Sequence, residues 1–302
     1  VSNQRYLHLD VFTDRPLTGN QLAVYPEPAG LDSETMQRIA NEMAFPETTF
    51  VLPPDEAGTD ARVRIFTPAL EMPMAGHPTI GTTFALAHEG RIEAGRPGVV
   101  LGLGVGPTPI RLEWEGTRLK FAWMSQPDPV FGPMPADRPG LAAALGIESK
   151  DLVTELPPQE VSSGVPFLFV GLATRAAVDA VVLDRAGMAR VYRAAGMAER
   201  PIFVFSLDRA DDDATAYSRM FAPSFGIAED PATGGASGPL GAYLVRHGAV
   251  GSERAGQILS LQGVKMGRPS RIHISVGRPS GAIGDLRVGG EAVVVGSGVL
   301  RV

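Results

Sequence analysis

Short runs in which apolar and polar residues alternate dominate this chain, and only a few stretches repeat at helical spacing. Residues 6–12 alternate as a strand, 17–20 form a turn and 21–25 resume extended chain. Residues 31–43 place Met36, Ile39, Ala40 and Met43 on one stripe behind Asp32 or Ser33, which predicts a capped surface helix. A strand entered at Glu47 and running to Leu52, a polar hairpin loop over 55–60 and a strand over 61–67 follow. Ile80, Thr83, Phe84 and Ala87 then recur at helical spacing from Gly76, with Pro78 suited to the first helical position and Gly90 as the stop. Strands are expected over 99–105, 109–114 and 118–123. The proline-rich stretch 125–139 reads as the crossing between two halves, or as a long surface loop within one.

The second half repeats the style of the first. It offers short helices over 141–145 and 186–195, a strand or short helix over 176–183, and strands over 166–170, 201–206 and 217–221. A helix through 240–245 precedes strands over 258–265 and 272–276, and a tail over 286–288 and 292–295 completes the sheet. Long βαβ alternation is missing, which disfavours a doubly wound sheet. The expected class is α+β, with mixed sheets wrapped around one helix per half.

One motif occurs twice. Arg64-x-Phe66-x-Pro68 leads into Gly76-His77-Pro78, and about half a chain later Arg219-x-Phe221-x-Pro223 leads into Asp230 and the glycines after it. Each precedes a strand-to-helix junction rich in Gly. An internal duplication accounts for the placement and predicts two similar domains: 1–124, completed by the tail 286–302, and 125–285. Two helix N-termini would then point into one cleft.

Composition narrows the function. The 302 residues are 44% hydrophobic and 20% charged, which fits a globular protein of two domains. The net charge is −6 and no basic block is present, so nucleic acid is not an expected partner. No apolar run reaches the ~18 residues of a membrane span, and no signal-peptide pattern opens the chain, so a cytoplasmic protein without a membrane partner is expected. Cysteine is absent, which removes disulfides and thiol acid/base chemistry. The five histidines form no compact cluster with acids, so neither a metal nor a cofactor is expected. Gly234-Gly-Ala-Ser-Gly238 and the glycines from 102 to 106 match neither a dinucleotide nor a P-loop fingerprint.

Three ionisable residues stand at junctions. Glu47, set among apolar and β-branched residues, is either solvated or enclosed; enclosure raises a carboxyl pKa and makes it a usable proton carrier. His77 sits at a helix mouth, beside unpaired main-chain donors that can hold an anion, or is an ordinary buried helix start. Asp230 serves either catalysis or the plain role of cap and dipole partner. Together they suggest proton transfer at carbon, with a substrate carboxylate on the amides of Gly234 and Gly235, or of Gly76. Asn20 either caps its own turn or contributes to the site.

Leu17-Thr-Gly-Asn-Gln-Leu-Ala-Val24, Pro46-Glu-Thr-Thr-Phe-Val51, Arg64-Ile-Phe-Thr-Pro68, Ala75-Gly-His-Pro-Thr-Ile-Gly81, Glu229-Asp-Pro-Ala-Thr-Gly-Gly235 and Gln262-Gly-Val-Lys-Met-Gly-Arg-Pro-Ser270 run in order over nearly the whole chain. In these the sequence resembles the PhzF-like phenazine-biosynthesis isomerases, which have the diaminopimelate epimerase fold. The resemblance implies two pseudo-symmetric domains, each a β-barrel-like shell around a central helix, with the site in the cleft between them, and a homodimer. It further implies isomerisation of trans-2,3-dihydro-3-hydroxyanthranilate, with Glu47 carrying the proton from C3 to C1 while His77 and Asp230 bind, orient and polarise the substrate. Two departures stand out. Ala75 and Gly235 occupy the regions where epimerase relatives have a cysteine pair, so two-thiol epimerisation is ruled out. Gly235 also replaces the serine usual in the phenazine enzymes. Another small cyclic or amino-acid-derived carboxylate as substrate, and a non-catalytic small-molecule binding protein, are the competing readings.

Overall fold

The computed structural model describes residues 2–28, 30–278 and 281–302. The chain divides into two compact units. The first is Val1–Gln126 with Arg268–Arg271 and Arg287–Val302; the second is Pro127–Gly267 with Ile272–Leu286.

In the first unit β1 (Asn3–Val11) pairs antiparallel with β2 (Asn20–Tyr25). Helix α1 (Ser33–Met43), capped by the Asp32 carboxylate on the Thr35 N–H, crosses over to β3 (Glu47–Leu52), which lies parallel to β2. β3 pairs antiparallel with β4 (Ala61–Phe66), and β4 with the short β5 (Glu71–Met72). Helix α2 (Gly76–His88) leads on to β6 (Gly98–Leu103), parallel to β4, and to the hairpin strands β7 (Gly106–Glu115) and β8 (Arg118–Gln126).

The second unit starts with β9 (Val130–Phe131), α3 (Arg138–Leu145) and β10 (Gln159–Ser162), so the proline-rich crossing contains a strand of its own. It then repeats the order of the first. β11 (Pro166–Leu172) crosses by way of α4 (Arg175–Ala180) and α5 (Arg185–Ala194) to a parallel β12 (Ile202–Ser206). β12 pairs antiparallel with β13 (Ala216–Ala222), and β13 with β14 (Ile227–Asp230). Helix α6 (Gly234–Arg246) precedes β15 (Ile258–Gln262), parallel to β13. β16 (Ser270–Gly277) and β17 (Gly284–Gly290) each belong partly to both units, and β18 (Ala292–Arg301) returns to pair antiparallel with β1. The shared sequence of parallel and antiparallel pairings is the duplication that the twin Arg-x-Phe-x-Pro motif announced.

The period of two in each strand sorts residues between two cores. In the first unit the outer face presents Ala23, Tyr25, Phe50 and Phe66 to Met36, Ile39 and Ala40 of α1. The inner face carries Leu22 and Val11 against α2, which is buried from Gly76 to Leu86. A Cβ on Gly81 would stand 2.5 Å from Leu22 Cδ2 and 2.7 Å from Val11 Cγ2, so glycine lets the helix reach the sheet. In the second unit Phe169, Phe203 and Phe205 close around Leu240, Tyr243 and Leu244 of α6, and Leu168, Val170 and Val204 face α3 and α5 on the other side. No helix among the described residues is long and apolar enough to cross a membrane.

The twin motif has one local structure in both units. Arg64 forms a bidentate pair with Glu71 at 2.8 and 2.7 Å and lies over the Phe66 ring at 5.0 Å. Arg219 does the same with Glu229, at 2.8 Å twice, over Phe221 at 4.8 Å. The planar guanidinium satisfies a carboxylate edge-on and an aromatic face-on, which explains Arg rather than Lys in both copies.

Candidate active site

Alternation along β2 and β3 decides where the polar residues of the first unit point. Asn20 shares a face with Leu22, and Glu47 shares a face with Thr49, whose hydroxyl meets Thr82 of α2 at 2.8 Å. Both therefore face α2, at the same end as its first turn, where His77 is the second residue. His77 Nδ1 lies 3.1 Å from Asn20 Nδ2, and its Nε2 lies 3.2 Å from Glu47 Oε2. All three side chains are buried; Glu47 is 8% exposed and His77 3%. The Nδ1 side of the ring thus meets Asn20, and Nε2 is turned toward Glu47. The 3.2 Å contact is not aligned as a hydrogen bond, which leaves it an electrostatic one.

The imidazole is held neutral. Burial pulls its pKa down to about 3, against a smaller upward pull from a hydrogen bond to the Gln21 main chain. This has a consequence for stability. An unfolded chain takes up the proton below about pH 6.5, whereas the folded chain takes it up only near 3. Stability from this residue is thus fully present above pH ~6.5 and falls on acidification by ~1.4 kcal/mol per pH unit until the folded pKa is reached. We expect His77→Gln to remove this dependence. Urea unfolding at pH 7 and pH 5 should show the wild type losing about 2 kcal/mol more than the variant.

The mouth of α2 differs from expectation in one respect. Ala75 is the N-cap and Gly76 the first helical residue, so Pro78 takes the third position. Pro78 removes an N–H from the uncapped first turn, and no side chain caps the remaining donors. The buried Gly76 thus opens a turn whose amides belong to the polar end of the unit.

In the second unit Asp230 closes β14, opposite Met220 on β13. It is not the helix cap: Thr233 is the N-cap of α6, and its hydroxyl donates to Asp230 Oδ2 at 2.5 Å. Gly234 and Gly235 form the first turn behind it. Gly234 is buried, whereas a Cβ on Gly235 would meet nothing within 4 Å, so open space lies where a side chain would start there. Gln262, which sequence reasoning assigned no role, joins this group through Asp230 and Thr233. The structure therefore brings Asn20, Glu47, Gly76 and His77 together in one unit, and Asp230, Gly234 and Gly235 in the other. Among the described residues no three His, Asp or Glu side chains come together in a way that could hold a metal ion.

The duplicated α+β architecture, with one buried helix per unit, is the diaminopimelate epimerase-like fold. A phenazine biosynthesis protein of the PhzF family from Bacillus anthracis superposes with a TM-score of 0.89 at 28% identity, covering 100% of both chains. The family model described as phenazine biosynthesis-like protein matches residues 9–298, and the chain belongs to this PhzC-PhzF family. It is 35% identical to a trans-2,3-dihydro-3-hydroxyanthranilate isomerase of Pseudomonas aeruginosa over 97% of this chain and 98% of that one. It is equally 35% identical to an uncharacterized isomerase of Mesorhizobium japonicum, over 99% of each chain. The protein is thus a PhzF-like isomerase, an enzyme of proton-transfer chemistry.

Proposed function

We propose that the chain isomerises a small cyclic carboxylate, most closely trans-2,3-dihydro-3-hydroxyanthranilate, by moving a proton between two ring carbons with Glu47 as the carrier. The observation that carries this reading is a buried carboxylate 3.2 Å from a neutral imidazole at the mouth of a buried helix. Glu47 as carboxylate takes the proton from C3. The C–H electron pair passes through the conjugated double bonds to C1, the carbon that bears the carboxylate. Glu47 returns the proton there, so the base is regenerated and no electrons enter or leave. The product is an enol that can relax to a ketone. Neutral His77 orients and polarises the substrate without holding Glu47 in a permanent ion pair. Asp230 binds and orients the polar substituents of the ring. The amides of Gly234 and Gly235, or of Gly76, are the donors for the substrate carboxylate. The same reading includes a homodimer, which light scattering tests directly, in the cytoplasm.

Incubating enzyme and dihydro-hydroxyanthranilate in deuterated water, with mass detection, separates the readings. An isomerase turns the compound over and leaves deuterium at the reprotonated carbon. A protein that only binds it leaves the label in the solvent. The open space at Gly235 favours a second reading, in which the substrate is a related cyclic carboxylate with a bulkier group at that position. Gly235→Ser tests it. The added β-carbon meets no atom within 4 Å, so the fold is expected to be unchanged. If dihydro-hydroxyanthranilate is the substrate, the new hydroxyl adds a hydrogen bond to a charged group, and KM should fall by roughly tenfold. A KM that rises instead supports the bulkier substrate.

A further inference from the structure

One short stretch of chain reaches into both groups of polar residues. Gln262, the last residue of β15, is fully buried. Its Oε1 accepts from the Thr233 N–H at 3.1 Å, and its Nε2 donates to the Asp230 carbonyl at 2.7 Å and to Thr233 Oγ1 at 2.9 Å. Because Thr233 Oγ1 accepts from the amide, its own proton is directed at Asp230 Oδ2. The chain of donors runs one way, from Gln262 through Thr233 to the Asp230 carboxylate, and fixes both the turn and the carboxyl plane.

Farther along the same stretch, Arg268 does comparable work in the first unit. Its Nε donates to the Gly19 carbonyl at 2.8 Å, and its Nη2 to the Thr18 carbonyl at 2.7 Å and to Asp10 Oδ1 at 2.5 Å. Asp10 Oδ2 in turn accepts the Leu17 N–H at 2.6 Å. Leu17 has φ +67° and is 76% exposed, a conformation that a β-carbon disfavours and that no packing compensates. Gly19, at φ +69°, donates to the Pro269 carbonyl at 3.1 Å, and a Cβ there would stand 2.4 Å from the Val11 carbonyl. The next residue is Asn20, whose amide meets His77 Nδ1 at 3.1 Å. Two left-handed turn residues, the strained Leu17 and Gly19, are thus held by Arg268, Asp10 and Pro269 immediately before the group that orients the imidazole.

We propose that Gln262 and Arg268 are positioning residues for the isomerisation, Gln262 setting the Asp230 carboxylate and Arg268 setting Asn20 and hence the His77 tautomer. The proposal rests on the functional reading above, and its test separates the two. In the free wild type, ¹⁵N-histidine NMR should show His77 neutral and in a single tautomer. Arg268→Met should give a mixture of the two tautomers, and Arg268→Lys, the milder change should the first fail to fold, a smaller one. Gln262→Leu should leave the His77 spectrum as in the wild type, lower kcat by roughly 100-fold through a displacement of about 1 Å, and show a turned Asp230 carboxylate in its crystal structure. Thr233→Val should reproduce that loss and Thr233→Ser recover most of it, a pattern that loss of stability alone does not give. A His77 spectrum unchanged in folded Arg268 variants overturns the assignment of Arg268. An unmoved Asp230 in Gln262→Leu overturns that of Gln262. Absence of turnover in the wild type counts against the functional reading, while the spectra and the crystal structure still decide the positioning roles.

Discussion

Replacing Glu47 by Gln should lower deuterium incorporation from solvent into dihydro-hydroxyanthranilate by ~10³-fold or more, the range that loss of a general base produces. The substitution keeps size and shape. The amide still fits beside His77, so the buried end of the first unit keeps its packing and a bound ligand keeps its contacts. What is lost is an oxygen that can accept a proton from carbon and hand it back. The effect should therefore fall on kcat, with ligand affinity measured by calorimetry within a few-fold of the wild type. Exchange at the wild-type rate in the variant would remove Glu47 from the role of base and move attention to Asp230. His77 is a poorer candidate, because an imidazole with a pKa of about 3 has little basicity to spare.

The second large effect concerns stability, and the duplication supplies its own control. Arg219 and Arg64 make the same pair of contacts with a glutamate and a phenylalanine, in different surroundings. The Arg219 and Glu229 side chains are 8% and 17% exposed, and Arg219 Nη1 also donates to the carbonyls of Val178, Asp179 and Val181. Arg64 and Glu71 are 15% and 43% exposed. Arg219→Leu leaves an enclosed carboxylate unpaired and takes a donor from three carbonyls, a loss of about 3–5 kcal/mol. Arg64→Leu leaves a glutamate that water can reach, a loss of about 1 kcal/mol or less. Urea unfolding of the two variants should separate them by at least about 2 kcal/mol. Equal losses would mean that the carbonyl contacts of Arg219 contribute nothing.

Much of the architecture was legible in the chain because it depends on local pattern. The alternation of β1 and β4, the Asp32 cap and the helical spacing after Gly76 are written within a dozen residues each. The twin Arg-x-Phe-x-Pro revealed the duplication because one guanidinium geometry had to be built twice. Glu47 and His77 stand out in the sequence as polar residues at the ends of apolar elements, and the structure places them 3.2 Å apart. What escaped depends on distant partners. Pro78 suits a first helical position, yet the helix starts two residues earlier, since Gly76 and His77 complete its first turn. Asp230 has the position of a cap by sequence, but Thr233 takes that place and turns its hydroxyl back to the acid. Gln262 and Arg268 lie in a motif that resembles the family, and nothing near them in sequence states that one holds Asp230 and the other Gly19. Their partners are strand ends and turns far away in the chain, which no periodicity records.

The role of Glu47 is open to one direct observation, a crystal structure with an unreactive aromatic analogue such as 3-hydroxyanthranilate bound. A Glu47 carboxylate oxygen should lie about 3–3.5 Å from the ring edge between C1 and C3, the spacing of a reactive approach, with the ligand carboxylate on main-chain amides of a helix mouth. A ligand seated with those carbons turned away from Glu47, or bound in a place that Glu47 does not line, contradicts it.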